Sequence, residues 1–165
     1  SVEEVLEKNW PGLHIEPLQA PENMEVLIGW TGSPASSPHL VSEVKRLKSD
    51  PIFYGEFLDQ SNTCVENLIY AFKTNNIKGV QKMIRQNRSI IQQMDKEATV
   101  DIETKKLKLL CDIGERFGGA AKTSGAGGGD CGITIIDNRV DKHSIYEVWE
   151  KEGIKPLKFK IYHGQ

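Results

Sequence analysis

The sequence has no long apolar segment and no marked excess of charge of either sign. None of its uninterrupted apolar runs approaches the roughly 20 residues of a membrane-spanning helix, and no basic-then-apolar leader opens the chain. The formal net charge is −2, so electrostatics give no reason to expect nucleic acid or an anionic membrane as a partner. These absences argue against a membrane protein and against a nucleic-acid-binding protein.

Cysteines and histidines are few, and they do not cluster along the sequence. The three cysteines, Cys64, Cys111 and Cys131, are odd in number and lack the C-x-x-C spacing of a zinc or redox site. The four histidines show no metal-ligand spacing. We therefore predict no metal site in this chain and a reduced, cytoplasmic protein.

The composition is that of an ordinary globular domain. With 165 residues, of which 38% are apolar and 27% charged, the chain is long enough to bury a hydrophobic core of its own. It contains no internal repeat or interdomain linker, so residues 1–165 are expected to form a single domain. It begins at Ser1 without an initiator Met and as if within a helix, which suggests a part of a longer protein.

Apolar periodicity predicts an α+β fold. The predicted strands are residues 13–18, 23–30, 131–137 and 157–163, and the predicted helices are residues 1–9, 38–50, 51–73, 76–97, 101–117 and 142–153. The three long helices carry regular apolar stripes, which we interpret as core. In the first of them the stripe is Phe53, Phe57, Cys64, Val65, Leu68, Ile69 and Phe72. The order of elements fits a mixed sheet with helices on one face.

Residues 122–132, KTSGAGGGDCG, form a segment that we call the glycine loop. Glycine adopts positive φ freely and lets backbone N–H groups approach a ligand, so such a loop can bind an anion. Its G-x-G-x-x-G match is not a dinucleotide fingerprint, because a helix is expected before it and a strand after it. A tightly packed turn remains possible, but the nearby Lys122, Ser124 and Asp130 favour ligand binding.

Residues 29–38, GWTGSPASSP, form a second polar segment, which we call the serine segment. It leads from a predicted strand to a predicted helix N-terminus, where free N–H groups suit a phosphate or carboxylate. The alternative is that Ser37 only caps the helix and the other hydroxyl groups are solvated.

Both segments carry a resemblance to a known family. KTSGAGGGDCGI (122–133) resembles the third conserved motif of the GHMP kinases, and IGWTGSPASS (28–37) is similar to the same family. The resemblance implies a C-terminal domain of ferredoxin-like α+β type, with a mixed or antiparallel sheet covered by helices. The family's phosphate loop, P-x-x-x-G-L-x-S-S-A, has no match here, which implies that the N-terminal ATP-loop domain is absent from this chain.

The run Asp130-Cys131-Gly132 after the glycines resembles the branch of the family that acts on 5-phosphomevalonate. That resemblance implies transfer of the ATP γ-phosphoryl group to 5-phosphomevalonate, giving 5-diphosphomevalonate in the mevalonate route to isoprenoids. It implies ATP and Mg²⁺ as cofactors of the intact enzyme and the N-terminal domain as a partner. The fragment alone is expected to be inactive and to bind neither cofactor.

The resemblance also implies which residues bind the acceptor, and it places no catalytic residue in this chain. The implied substrate-binding residues are Ser33, Ser36, Ser37, Lys122, Ser124, Gly125, Ala126 and Gly127, and the residues that support the loop are Gly128, Gly129 and Asp130.

Two other interpretations stay open at this point. The chain could be the same domain of another GHMP kinase, such as mevalonate kinase. It could also be a non-catalytic ferredoxin-like domain that binds an anion. The sequence before Ser1 would distinguish these, because a kinase needs a phosphate loop there.

Overall fold

The chain folds around a four-stranded antiparallel sheet. The computed structural model describes residues 15–35, 40–42, 50–125 and 127–159. Within these ranges the strands are β1 (Met24–Trp30), β2 (Ala120–Thr123), β3 (Cys131–Asp137) and β4 (Lys155–Leu157), and the named helices are α1 (Pro51–Lys73), α2 (Ile77–Ala98), α3 (Lys105–Arg116) and α4 (Lys142–Lys151). The strand order is β2-β3-β1-β4.

This topology confirms the ferredoxin-like α+β fold. The chain runs from β1 through helices to the β2–β3 hairpin, and then through α4 to β4 at the other side of β1. All pairings of these strands are antiparallel, so an antiparallel sheet is correct and a mixed sheet is wrong. The central strands β1 and β3 pair from Met24–Asp137 to Trp30–Cys131.

Helices cover both faces of the sheet, whereas the apolar periodicity predicted helices on one face only. On one face Ile136 packs in a buried cluster with Leu110 of α3 and Trp149 of α4. On the other face Ile135 packs in a second cluster with Val80 of α2. Because β3 is apolar on both sides, each side needs a cover. The layers are therefore α1 and α2, the sheet, and α3 and α4.

Each named helix begins at a residue whose side chain accepts a hydrogen bond from an amide of the first turn. These capping residues are Asp50, Asn76, Thr104 and Asp141. The cap at Thr104 explains why the helix predicted over 101–117 is shorter than expected. The residues just before Thr104 form a connection between α2 and α3 that bears on the functional site.

Strand β2 was not predicted from the sequence. Its residues, AAKT, are small or polar and too few to show an alternation. They become a strand because they pair with β3, from Ala120–Ile135 to Thr123–Gly132. Here tertiary pairing decides the local structure against weak intrinsic propensity.

Two of the predicted strands are wrong where the structure describes them. Of the strand predicted over 13–18, the described residues 15–18 form no strand: Ile15 is 80% exposed, and Pro17 lacks the N–H that a ladder needs. Of the strand predicted over 157–163, only Leu157 is in a strand among the described residues: β4 is Lys155–Leu157, and it pairs there with the final residues of β1. The predicted helix over 1–9 and the remainder of the predicted strands, residues 13–14 and 160–163, lie outside the described residues.

The apolar stripe of α1 is only partly core. Cys64 is buried, as predicted. Val65 is 47% exposed, so the prediction that Val65 belongs to the core was wrong. The reason is that α1 is an outer helix that packs mainly on α2. The apolar stripes of α2 and α3, which lie nearer the sheet, are confirmed by buried residues such as Val80, Ile84 and Leu110.

The helix predicted over 38–50 lies mostly outside the described ranges. Within them, residues 40–42 are helical and residue 50 caps α1.

The end of β3 that carries Asp137 is fixed by a buried carboxylate. Asp137 accepts hydrogen bonds from Nε and Nη2 of Arg139, each at 2.8 Å, and from Nδ2 of Asn23 at 2.9 Å. The hydrogen bonds from Arg139 hold the pKa of Asp137 well below its usual range. A carboxylate whose pKa is lowered by folding stabilises the fold fully at pH values above the pKa of the unfolded state, which is about 3.9. This stabilisation is lost as the pH falls toward the lower pKa of the folded state.

We predict that Asp137→Asn lowers the free energy of unfolding at pH 7 and that this deficit shrinks as the pH falls below about 4. The amide cannot form the ion pair at any pH, whereas the wild-type carboxylate loses its charge in acid. Urea unfolding of both proteins between pH 7 and pH 3 measures the difference. A deficit that is independent of pH would contradict this account of Asp137.

Candidate functional site

The glycine loop connects two strands of a hairpin. Residues 124–130 join β2 to β3, and the amide of Ser124 donates to the carbonyl of Cys131 at 2.9 Å to close the hairpin. A strand therefore precedes the loop, where a helix had been expected. The dinucleotide fingerprint still fails, because β3 follows the loop where that fingerprint needs a helix.

Every described residue from Gly125 to Asp130 has a positive φ. The φ angles are 69° at Gly125, 75° at Gly127, 76° at Gly128, 137° at Gly129 and 59° at Asp130. Side chains with a Cβ rarely adopt such angles, although Asp tolerates them better than most. The glycines are therefore required by the path of the chain.

One side of the loop lies against Ile102 in the connection between α2 and α3. The amide of Gly128 donates to the carbonyl oxygen of Ile102 at 2.7 Å. A Cβ added to Gly127 would lie 2.3 Å from Cγ2 and 2.5 Å from the carbonyl oxygen of Ile102. Only glycine permits this approach.

The other side of the loop lies against the serine segment. The amide of Asp130 donates to the carbonyl of Ser33 at 2.6 Å, and the amide of Thr31 donates to the carbonyl of Asp130 at 2.8 Å. The Thr31 hydroxyl donates to the same carbonyl at 2.9 Å. The structure thus brings the two segments singled out in the sequence into direct contact. Asp130 makes this contact through its backbone, while the residue itself is exposed.

The loop amides divide into two groups. Those of Ser124, Gly128 and Asp130 donate to carbonyl groups of the chain itself. Among the described residues, no acceptor pairs with the amides of the three other glycines. These are Gly125, which is exposed, and Gly127 and Gly129, which are buried. The set of available donors is therefore narrower than the sequence suggested.

Lys122 adds a partly desolvated positive charge beside the loop. It is half-buried on β2, and its Nζ donates to the carbonyl of Thr123 at 2.6 Å. Burial lowers the pKa of the Lys122 ammonium group. No carboxylate of the described residues pairs with it, so its charge is not neutralised by them.

The remaining site residues fall into two classes. Ser33 is exposed and Ser124 is half-buried, and both adjoin the contacts of the loop. Ser36, Ser37 and Ala126 lie outside the described residues, so their roles stay predictions. Ile102 was predicted only as a core residue of the helix over 101–117; it is buried as expected, but its direct support of the loop was not predicted.

Among the described residues, no group of three or more histidine, cysteine, aspartate or glutamate side chains is placed to hold a metal ion. In the same ranges, no helix has both the length and the apolar character that crossing a membrane requires.

Comparison with known proteins identifies the family. Residues 68–155 match the family model described as "GHMP kinases C terminal". The chain therefore belongs to the GHMP kinase family, and it corresponds to the C-terminal domain of that family.

Two curated relatives show which members of the family this chain is similar to. The chain is 36% identical over 159 residues to phosphomevalonate kinase of Streptomyces sp. (strain CL190), a match that covers 94% of this chain and 42% of that protein. It is 34% identical over 74 residues to mevalonate kinase of Methanocaldococcus jannaschii, covering 45% of this chain and 22% of that protein. The chain thus spans less than half the length of these curated relatives.

Solved structures agree with this assignment. A Lin0012 protein from Listeria innocua superimposes with a TM-score of 0.87 at 39% identity, covering 97% of this chain and 45% of that one. Phosphomevalonate kinase of Streptococcus pneumoniae in complex with phosphomevalonate and AMPPNP superimposes with a TM-score of 0.77 at 27% identity. This match covers 95% of this chain and 45% of that one.

We predict that Gly127→Ala is more destabilising than Gly118→Ala. Gly118 has φ of 88° and nothing within 4 Å of an added Cβ, whereas Gly127 has φ of 75° and meets Ile102. Both variants incur about 1–2 kcal/mol for a left-handed residue, and Gly127→Ala adds roughly 1–3 kcal/mol of overpacking. Urea unfolding measures both, and equal losses would contradict the packing of the loop against Ile102.

Proposed function

We propose that this chain is the acceptor-binding part of a kinase that transfers the γ-phosphoryl group of ATP to 5-phosphomevalonate. The products are 5-diphosphomevalonate and ADP. The observation that carries the proposal is the set of amides at Gly125, Gly127 and Gly129 that have no acceptor among the described residues, held in a loop that is fixed on both sides.

Unpaired amides in buried residues call for an acceptor. A buried N–H without a partner costs about 1–3 kcal/mol, so Gly127 and Gly129 suit an acceptor from outside the chain. Phosphate oxygens are such acceptors, and successive loop amides commonly bind them. Because the other loop amides already hold the loop in shape, these donors are preorganised for the ligand.

Charge favours the same ligand. Phosphoryl transfer to a phosphate brings two anionic groups together, so the protein must offset their repulsion. Lys122 carries a positive charge that no described carboxylate neutralises, and it lies on the strand that leads into the loop. The hydroxyl groups of Ser33 and Ser124 add neutral donors, and Ser36, Ser37 and Ala126 complete the proposed acceptor site.

The relatives support the same substrate, and they support the binding of ATP by a separate domain. One relative is a phosphomevalonate kinase at 36% identity over 94% of this chain, and a neighbouring structure contains phosphomevalonate and AMPPNP. This chain spans 42% of that relative. We therefore assign the ATP loop and any Mg²⁺ ligands to an N-terminal domain outside this chain. The isolated chain should then bind ATP weakly or not at all. A cytoplasmic location stays a prediction.

In the full-length protein, we predict that Gly125→Asn raises the KM for 5-phosphomevalonate about tenfold or more and leaves the KM for ATP unchanged. Asn tolerates left-handed φ, and nothing lies within 4 Å of an added Cβ at Gly125, so the fold should persist. The new side chain obstructs the phosphate, and loss of one hydrogen bond to a charged group costs about 1.5–3 kcal/mol. Steady-state assays with both substrates measure the effect.

Gly118→Asn is the matched control. Gly118 is also left-handed and also has open space around its Cβ position, but it lies before β2, at the end of that strand away from the loop. This control should keep wild-type KM values. If both variants behaved alike, or if Gly125→Asn kept the wild-type KM, the acceptor site would lie elsewhere.

Mevalonate kinase is the second candidate function, because a mevalonate kinase matches 45% of this chain. The full-length protein should phosphorylate 5-phosphomevalonate and not mevalonate. Turnover of mevalonate alone would support the second candidate. Binding of 5-phosphomevalonate with no turnover would instead indicate a ligand-binding domain without catalysis.

A further inference from the structure

A buried ion pair lies beneath the connection that supports the glycine loop. Arg88 occupies the apolar face of α2 between Ile84 and Ile91, and it is 9% exposed. Its Nε and Nη2 donate to the two carboxylate oxygens of Glu103 at 2.8 and 2.7 Å, and Nη2 also donates to Asp112 at 2.7 Å. Burial alone would lower the pKa of Arg88, but these hydrogen bonds raise it above its ordinary value.

A second carboxylate holds the same connection through its backbone. Asp95, near the end of α2, accepts the amide of Ile102 at 2.7 Å and the amide of Glu103 at 2.9 Å. Gln92 donates to the Glu103 carboxylate at 3.0 Å. The Glu103 residue is therefore fixed at its backbone and at its side chain, and Ile102 is fixed at its amide.

These contacts continue into the glycine loop. Ile102, held as described, accepts the Gly128 amide with its carbonyl oxygen at 2.7 Å. The same carbonyl limits the space at Gly127. Arg88 is thus linked to the glycine loop through its hydrogen bonds to Glu103, the Ile102–Glu103 peptide unit and the hydrogen bond from Gly128 to Ile102.

Stability alone is a poor reason for such an arrangement. Replacing a buried ion pair by apolar residues of similar volume is often neutral or stabilising. A bidentate arginine–carboxylate pair does, however, fix distance and orientation more narrowly than apolar packing does. Here the fixed geometry is that of the Ile102 carbonyl.

We propose that Arg88, Glu103 and Asp95 are positioning residues for the glycine loop. They hold the Ile102 carbonyl where it fixes Gly128, and this orients the amides of Gly127 and Gly129 toward the acceptor phosphate. The catalytic consequence rests on the proposed function, whereas the effect on the loop itself does not.

The test uses Glu103→Gln and Asp95→Asn in the full-length protein, with Asp137→Asn as the control. Asp137 is also a buried carboxylate bound by two nitrogens of one arginine, but it lies at the far end of β3, roughly 20 Å along the strand from the loop. All three changes replace a carboxylate by its amide. A general loss of stability would therefore affect all three alike.

Hydrogen exchange followed by mass spectrometry provides the readout that does not depend on activity. Exchange in the peptide that contains Gly128 should accelerate about tenfold or more in Glu103→Gln and Asp95→Asn, and it should stay at the wild-type rate in Asp137→Asn. The KM for 5-phosphomevalonate should rise at least several-fold in the first two variants while the KM for ATP is unchanged. Should Glu103→Gln fail to fold, Asp95→Asn decides the outcome, because it leaves the buried ion pair of Arg88 and Glu103 in place.

The two readouts separate the two proposals. Unchanged loop exchange in both variants, or equal acceleration in Asp137→Asn, would overturn the positioning role. If loop exchange accelerates selectively but the wild-type protein does not phosphorylate 5-phosphomevalonate, the positioning role stands and the proposed function fails.

Discussion

The site depends on the close contact between the glycine loop and the carbonyl of Ile102. The Gly128 amide donates to that carbonyl at 2.7 Å, and Gly127 lies so near that any Cβ would collide with it. A second backbone contact, from Asp130 to Ser33 at 2.6 Å, fixes the other side. Both contacts are made by backbone atoms, and the path that they impose leaves no room for a Cβ at Gly127, so this position requires glycine.

The same glycines serve both packing and the proposed chemistry. The sequence presented a packed turn and an anion-binding loop as alternatives, whereas in the proposed function the packing of the turn is what orients the amides for the anion. Hydrogen bonds from Ser124, Gly128 and Asp130 hold the loop, and those donors are thereby lost to a ligand. Among the described residues, the amides of Gly125, Gly127 and Gly129 have no acceptor, so under the proposed function they are preorganised to donate to the ligand.

The sequence predicted those parts of the molecule whose signal is local. Strand β1 and helices α2 and α4 follow from strong periodicity, and the glycine and serine segments were visible as motifs. Strand β2 was missed because AAKT becomes a strand only by pairing with β3. The partnership of Arg88 with Glu103 joins residues 15 positions apart and depends on how α2 meets the next connection. An arginine within the apolar face of α2 was the one local sign of it.

A crystal structure of the full-length protein with 5-phosphomevalonate and a non-hydrolysable ATP analogue tests the central claim most directly. We predict that phosphate oxygens of the acceptor lie about 2.7–3.2 Å from the amide nitrogens of Gly125 and of Gly127 or Gly129, while Gly128 stays bonded to Ile102. An acceptor phosphate bound away from these amides would contradict the account, as would a loop that has released Ile102 to bind it.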